Sequence, residues 1–283
     1  MKTIILLLFP FFVFSQTAPK LLGQTTISKL SEAPFGEWFN AAHEKYVPNA
    51  ATIEQLKQIP KKKVSVQIFM GTWCRDTQRE LPRFIKTLET AGFKSTQIEI
   101  IAVDNAPETY KQSPEHQEIG KGIYRVATFI ILKDGKELNR IVEFPVVSLE
   151  KDLLQILKNK AYSPNYAAFS QVDQWFKEGI LTDPNVSFRG LANVLKGISK
   201  AEGELNAMGY IFLGRNQIKE AISILSINVY LYPESSNCYD SLAEAYLKNN
   251  QKETAIHYYE VALKLNPKSE TLAKTIADLK ASL

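Results

Sequence analysis

The chain reads as an α/β domain, a mixed sheet between helices, followed by an all-α repeat array. Three observations predict this. Short runs rich in β-branched residues alternate with helical patterns up to about residue 160. A 34-residue period runs through the last 80 or so residues. Strand patterns are absent from the second half. The 283 residues suit about two domains, and a 45% apolar, 23% charged composition is that of a globular protein. The net charge of +4 is small and scattered. Lys61-Lys62-Lys63, the one basic run, reads as the solvated start of a strand, so no nucleic-acid partner is expected.

Residues 1–15 read as a secretory signal peptide. Lys2 opens it, Ile4 to Phe14 are apolar apart from Pro10, and Val13 and Ser15 precede a cut that leaves Gln16 first. The run is short for a bilayer span, so no membrane attachment beyond the signal is expected, and the mature chain is placed in the periplasm or outside the cell. Residues 16–49 form an N-terminal extension, with a short helix from Pro34 to about Tyr46.

Within 50–160, Thr52 to Ile59 is a helix capped by Thr52 and stopped by Pro60. Lys63 to Met70 is a strand. Cys74 to Ala91 is a helix, kinked at Pro82 and ended by Gly92. Gln97 to Val103 is a second strand, Glu115 to Gly122 a short helix, and Val126 to Leu132 a third strand. Asp134-Gly135 makes a hairpin turn into Leu138 to Phe144. Ser148 caps a last helix to Lys160. The β-α-β-α-β-β-α order implies parallel strands, an antiparallel end, and helices on both faces.

Residues 161–201 form a helical connector, with helices over Tyr166 to Glu178 and Phe188 to Lys200. The repeats follow as 202–235, 236–269 and a capping helix 270–283. Gly209 matches Ala243, Phe212 matches Tyr246, Ala221 matches Ala255 and Pro233 matches Pro267; Leu205 pairs with Tyr239 and Met208 with Leu242. Small residues let two helices approach closely, and large ones fill the gap beside them. Tyr230, Tyr232, Tyr239, Tyr246, Tyr258 and Tyr259 are repeat core or line a concave groove.

The chemistry concentrates in Phe69-Met70-Gly71-Thr72-Trp73-Cys74-Arg75-Asp76-Thr77. A cysteine between a strand end and a helix start meets the positive end of the helix dipole, which favours the thiolate. Arg75 and Arg79 add to this, while Asp76 and Glu80 oppose it. The second cysteine, Cys238, is expected to be a small packed hydrophobe unbridged to Cys74. His43, His116 and His257 read as surface residues, and no metal cluster, phosphate loop or cofactor motif is present.

At Trp73-Cys74-x-x-Thr77, with Pro82 eight residues on from the cysteine, residues 50–160 resemble the thioredoxin superfamily. The longer string from Gly71 to Phe84, with Arg140 to Leu154 downstream, resembles an exported thioredoxin-like group of Bacteroidetes-type bacteria. The second half resembles tetratricopeptide repeats. The resemblance implies a site of Cys74, Thr77 and Trp73 as catalytic residues, with Arg75, Ala127 and Thr128 binding substrate. Three positions depart from the pattern. Thr77 replaces the resolving cysteine, so no disulfide forms within the motif. Ile68 stands where thioredoxins often bury a carboxylate. Ala127 stands in place of a cis-proline, and since a cis bond before a non-proline costs about 3 kcal/mol, a trans bond is expected there.

These readings imply a single-thiol oxidoreductase acting on protein or small-thiol disulfides, with the Thr77 hydroxyl donating to the sulfur and the repeats docking a protein partner. The alternative is a non-catalytic binding adaptor.

Overall fold

The computed structural model describes residues 19–282, so the predicted leader lies outside the described residues. Five strands form one sheet: β1 (Gly23–Thr25), β2 (Val64–Met70), β3 (Ile98–Ala102), β4 (Thr128–Lys133) and β5 (Lys136–Val142). Their order is β1-β3-β2-β4-β5. Only β2 and β3 run parallel, and Ile68 lies opposite both Ile100 and Phe129. The hairpin β4–β5 turns on Asp134 and Gly135, both at positive φ as an Asp-Gly turn requires.

Five helices accompany the sheet: α1 (Ile27–Ser31), α2 (Gly36–Lys45), α3 (Ala50–Gln58), α4 (Arg75–Thr90) and α5 (Leu149–Leu157). Residues 16–49, expected to be an extension, instead supply β1, α1 and α2. β1 is too short to show alternation. Leu30 and Phe39 are buried in the same core as Val66 and Ile68. Helix α3 starts before the expected Thr52. Asn49 is its cap, and its side chain accepts from both the Thr52 N–H (3.0 Å) and the Thr52 hydroxyl (2.9 Å). Ser148 caps α5 as its position predicts, accepting from Lys151 N–H. Helix α4 runs on through Pro82.

The expectation that helices within 50–160 cover both faces is corrected: α1 to α5 share one face, and helices reach the other only from later in the chain, at Val142. Val64, Val66, Ile68 and Met70 face one core shared with Leu30 of α1, Phe39 of α2, Ile53 of α3, Phe84 of α4 and Leu153 of α5. The opposite face, with Phe69, Ile101 and Ile130, is covered by Val103, Ile123 and Val126 of the segment between β3 and β4. That segment holds a 3-10 turn (Pro107–Thr109) and no α-helix. The predicted helix from Glu115 to Gly122 is a series of turns, because His116, Gly120 and Gly122 sit at positive φ and the buried Glu118 accepts from Ser113 rather than joining a helix face.

Seven further helices follow: α6 (Ala168–Lys177), α7 (Phe188–Leu195), α8 (Gly203–Gly214), α9 (Ile218–Leu231), α10 (Ser236–Lys248), α11 (Lys252–Leu265) and α12 (Glu270–Ala281). Helices α9 and α11 start and end 34 residues apart, as the period predicts. At Gly209 an added Cβ would lie 2.6 Å from the Leu225 side chain, so this glycine sets how closely α8 and α9 pack. The helices also pack on the sheet domain. Tyr124 and Val142 share a core with Phe169, Leu205 and Phe212. The Tyr124 and Phe212 rings stack at 6.2 Å. Bordering that contact, and lined in part by Tyr124, Val142 and Phe169, a cavity of about 780 Å³ opens between Ile130 and Leu132 of β4, Arg140 of β5, and Asp173 and Lys177 of α6. Among the described residues, no helix is long and apolar enough to cross a membrane.

Candidate active site

The sequence around Cys74 folds as its pattern dictates. Strand β2 ends at Met70, Cys74 is the N-cap of α4, and its N–H donates to Gly71 O at 2.9 Å. Gly71 is required by a close approach: a Cβ there would come 2.4 Å from the Trp73 indole. The indole N–H in turn donates to Val103 O at 2.9 Å, and its ring lies 6.2 Å from that of Tyr110. Trp73 also borders an open cavity of about 660 Å³ with Thr72, Gln78, Pro34, Phe35 and Trp38.

Cys74 is a free, partly exposed thiol, and its Sγ donates to Val126 O at 3.1 Å. The expected Thr77 hydroxyl–sulfur bond does not form. Thr77 is fully buried and its hydroxyl accepts from Gly71 N–H at 3.4 Å, so it closes the strand-to-helix turn instead. Arg75 is exposed. Arg79, expected to favour a thiolate, is tied to Asp76 (2.7 Å) and to the buried Glu80 (2.5 Å).

The Val126–Ala127 peptide bond is cis, which corrects the trans expectation. The isolated-peptide preference is outweighed by the surroundings. Both residues are buried. Val126 O receives the thiol, Ala127 O accepts the Glu143 N–H at 2.7 Å, and the Thr128 hydroxyl donates back to Arg125 O at 2.7 Å. Ala127 and Thr128 follow the residue that Cys74 touches and are buried, and Thr128 lines the cavity beside Ile130 and Leu132.

The residues that surround this turn most closely in charge carry little signal in the sequence. Arg125 bridges the two halves of the chain. Its guanidinium donates to Gly203 O at 2.8 Å, faces Glu143 at 3.5 Å, and lies 5.1 Å over the Tyr166 ring. Glu143 is mostly buried at the end of β5, in left-handed backbone (φ 64°). Burial raises its carboxyl above the ordinary range against the pull of Arg125, and the Tyr166 hydroxyl donates to it. Lys111 is a buried amine. Burial lowers it to about 7, Arg125 pushes the same way, and the charges of Cys74 and Glu143 oppose. Only Glu143 leaves a sequence signal, as a lone carboxylate inside Ile141-Val142-Glu143-Phe144.

Cys238 lies on the first turn of α10, fully buried. Burial, with the carboxylate of Glu202 3.8 Å from the sulfur, pushes its thiol up to about 11. His43 bonds Glu89, and His116 faces Glu118. Among the described residues, no three His, Cys, Asp or Glu side chains gather as metal ligands.

The tetratricopeptide repeat family matches residues 236–269, the stretch of α10 and α11. Repeats of that family generally mediate protein–protein interaction, and this stretch points to that class of role. No curated protein matches the chain.

Proposed function

We propose that this is an exported, thioredoxin-fold, single-thiol oxidoreductase whose repeats hold a protein partner. The observation that carries it is Cys74: a partly exposed thiol at the N-cap of a long helix, with Lys111 and Arg125 nearby and no second cysteine in reach. The strand order, with β2 central and leading into that cysteine, supports the thioredoxin-like reading. The paired helices α8 and α9, in the same spacing as α10 and α11, support a first repeat over 202–235. In the reaction, the Cys74 thiolate attacks a disulfide, the old S–S bond breaks, and a partner thiol later releases the mixed disulfide.

A second reading, a non-catalytic adaptor, is favoured by the missing resolving cysteine and by Thr77 turning away from the sulfur. One experiment separates them. The mature chain carrying Cys238→Ser is incubated with glutathione disulfide and analysed by mass spectrometry. A glutathione adduct on Cys74 that a second thiol removes supports the oxidoreductase. An unmodified Cys74, with partner capture unchanged by Cys74→Ser, establishes the adaptor.

A further inference from the structure

We propose that Lys111 is the charge partner of Cys74, a positioning residue whose buried amine holds the proton that balances the thiolate and gives it up when the sulfur becomes a disulfide. This rests on the single-thiol reading above and names a residue that reading does not require.

The geometry begins with the backbone. After the 3-10 turn, Lys111 adopts left-handed backbone (φ 55°), its N–H donating to Asp104 O at 2.8 Å while Asp104 N–H donates to Gln112 O at 2.9 Å. This clamp turns a long cationic side chain inward, and Lys111 is only 3% exposed. Lysine is almost never fully buried unless paired. Yet among the described residues no carboxylate lies within ion-pair distance, and of the three N–H bonds of an ammonium one is used, to Tyr124 O at 3.1 Å. The amine also lies 4.2 Å from the centre of the Tyr110 ring, and that ring packs on Trp73, the neighbour of Cys74.

Amine and thiol grip one short piece of chain. Lys111 Nζ is on Tyr124 O and Cys74 Sγ is on Val126 O. Two residues of backbone span at most about 7 Å. The charges around the pair come from every side: Asp76 and Arg79 from α4, Tyr110 beside the amine, Arg125 reaching toward Gly203 O, Glu143 from the end of β5, and Tyr166 from the connector. Asp76 and Arg79 pair with each other, and Arg125 and Glu143 face each other, which leaves the Lys111 amine without a carboxylate of its own. Burial and Arg125 disfavour its charged form while the charges of Cys74 and Glu143 favour it, so the amine and the thiol are electrostatically coupled.

The step then balances. Cys74–S⁻ and Lys111–NH₃⁺ meet a disulfide R–S–S–R′. The new Cys74–S–S–R bond forms, the old S–S bond breaks, and R′S⁻ leaves with the electron pair. The negative charge that held the Lys111 proton is gone. Lys111 releases that proton to solvent and the leaving thiolate takes one up from solvent, giving R′SH and Lys111–NH₂. Attack by a second thiol reverses both transfers.

The test is the pH profile of Cys74 alkylation by iodoacetamide in the Cys238→Ser chain, compared with Lys111→Met, Lys111→Gln and Lys111→Arg. The Met and Gln variants are expected to move the midpoint up by about one pH unit, the usual effect of removing a close opposite charge, with about tenfold slower labelling at neutral pH. The Arg variant is expected to restore most of it. Circular dichroism checks folding, and the Gln variant carries the comparison if the Met variant does not fold. Unchanged midpoints in the folded neutral variants overturn the assignment. The parent chain's adduct with glutathione disulfide reads the single-thiol function separately, so either can fail alone.

Discussion

Cys74 and Cys238 occupy nearly the same local position, the first turn of a helix, in opposite surroundings. Cys74 is the N-cap of α4, and Cys238 lies three residues past Ser235, whose hydroxyl caps α10 and accepts its N–H at 3.2 Å. Both meet the positive end of a helix dipole. Cys74 is partly exposed and shares its surroundings with Lys111 and Arg125. Cys238 is sealed among the repeat helices beside the Glu202 carboxylate, and its thiol is pushed up to about 11. A helix N-terminus therefore does not by itself make a reactive cysteine. Desolvation and the sign of the nearest side-chain charge outweigh a dipole effect of about 0.3–1 kcal/mol.

The largest expected effect is on labelling. A thiol held near 11 is ionised to about one part in a thousand at pH 8. Iodoacetamide at pH 8 should thus modify Cys74 at least about 100-fold faster than Cys238, read by peptide mass mapping, with the contrast vanishing in guanidinium. Equal rates in the folded chain would end the comparison. The next effect is on stability. The folded chain keeps the Cys238 proton until about pH 11, whereas an unfolded chain releases it near 9. The stability this group contributes is complete below pH 9 and lost between 9 and 11, on the order of 2 kcal/mol. Urea unfolding at several pH values should show Cys238→Ala flattening that fall. A Cys74→Ala chain should keep it.

Gly71→Ala tests the other side of the comparison. The added methyl collides with the Trp73 indole, which must leave Val103 O and the Tyr110 ring. A loss of about 1–3 kcal/mol is expected, together with a red-shifted tryptophan emission and faster Cys74 labelling. An unchanged emission and midpoint would show that the indole does not cover the thiol turn.

What is legible in the sequence follows the same divide between local and distant causes. The strand–cysteine–helix turn, the Asp134-Gly135 hairpin and the Ser148 cap are set by residues adjacent in the chain. The 34-residue repeat is periodic, so Gly209 and Ala243 announce close helix packing from their spacing alone. Lys111 and Arg125 announce nothing. They lie in a 25-residue irregular segment with no periodicity, and only the fold brings that segment over the sheet face opposite α4 and beside Cys74. The isomer of the Val126–Ala127 bond is hidden from the sequence for the same reason. The groups that hold this stretch, Cys74 and Glu143, are 52 and 16 residues away in the chain.

The smallest expected effect is the most discriminating. Two causes raise Cys238, burial first and the Glu202 charge after it, while the Ser235 hydroxyl lowers it. Glu202→Gln removes the charge and keeps the shape, and the amide still reaches Asn237, which now donates to the Glu202 carboxylate at 3.0 Å. If burial dominates, the midpoint of Cys238 alkylation falls by less than about one pH unit, a several-fold rate increase at pH 9, and Cys238 stays far slower than Cys74. A rise to the rate of Cys74 would show that the neighbouring charge alone separates the two thiols. Lys111 would then matter more, because one charge of the opposite sign beside Cys74 would suffice to set its reactivity.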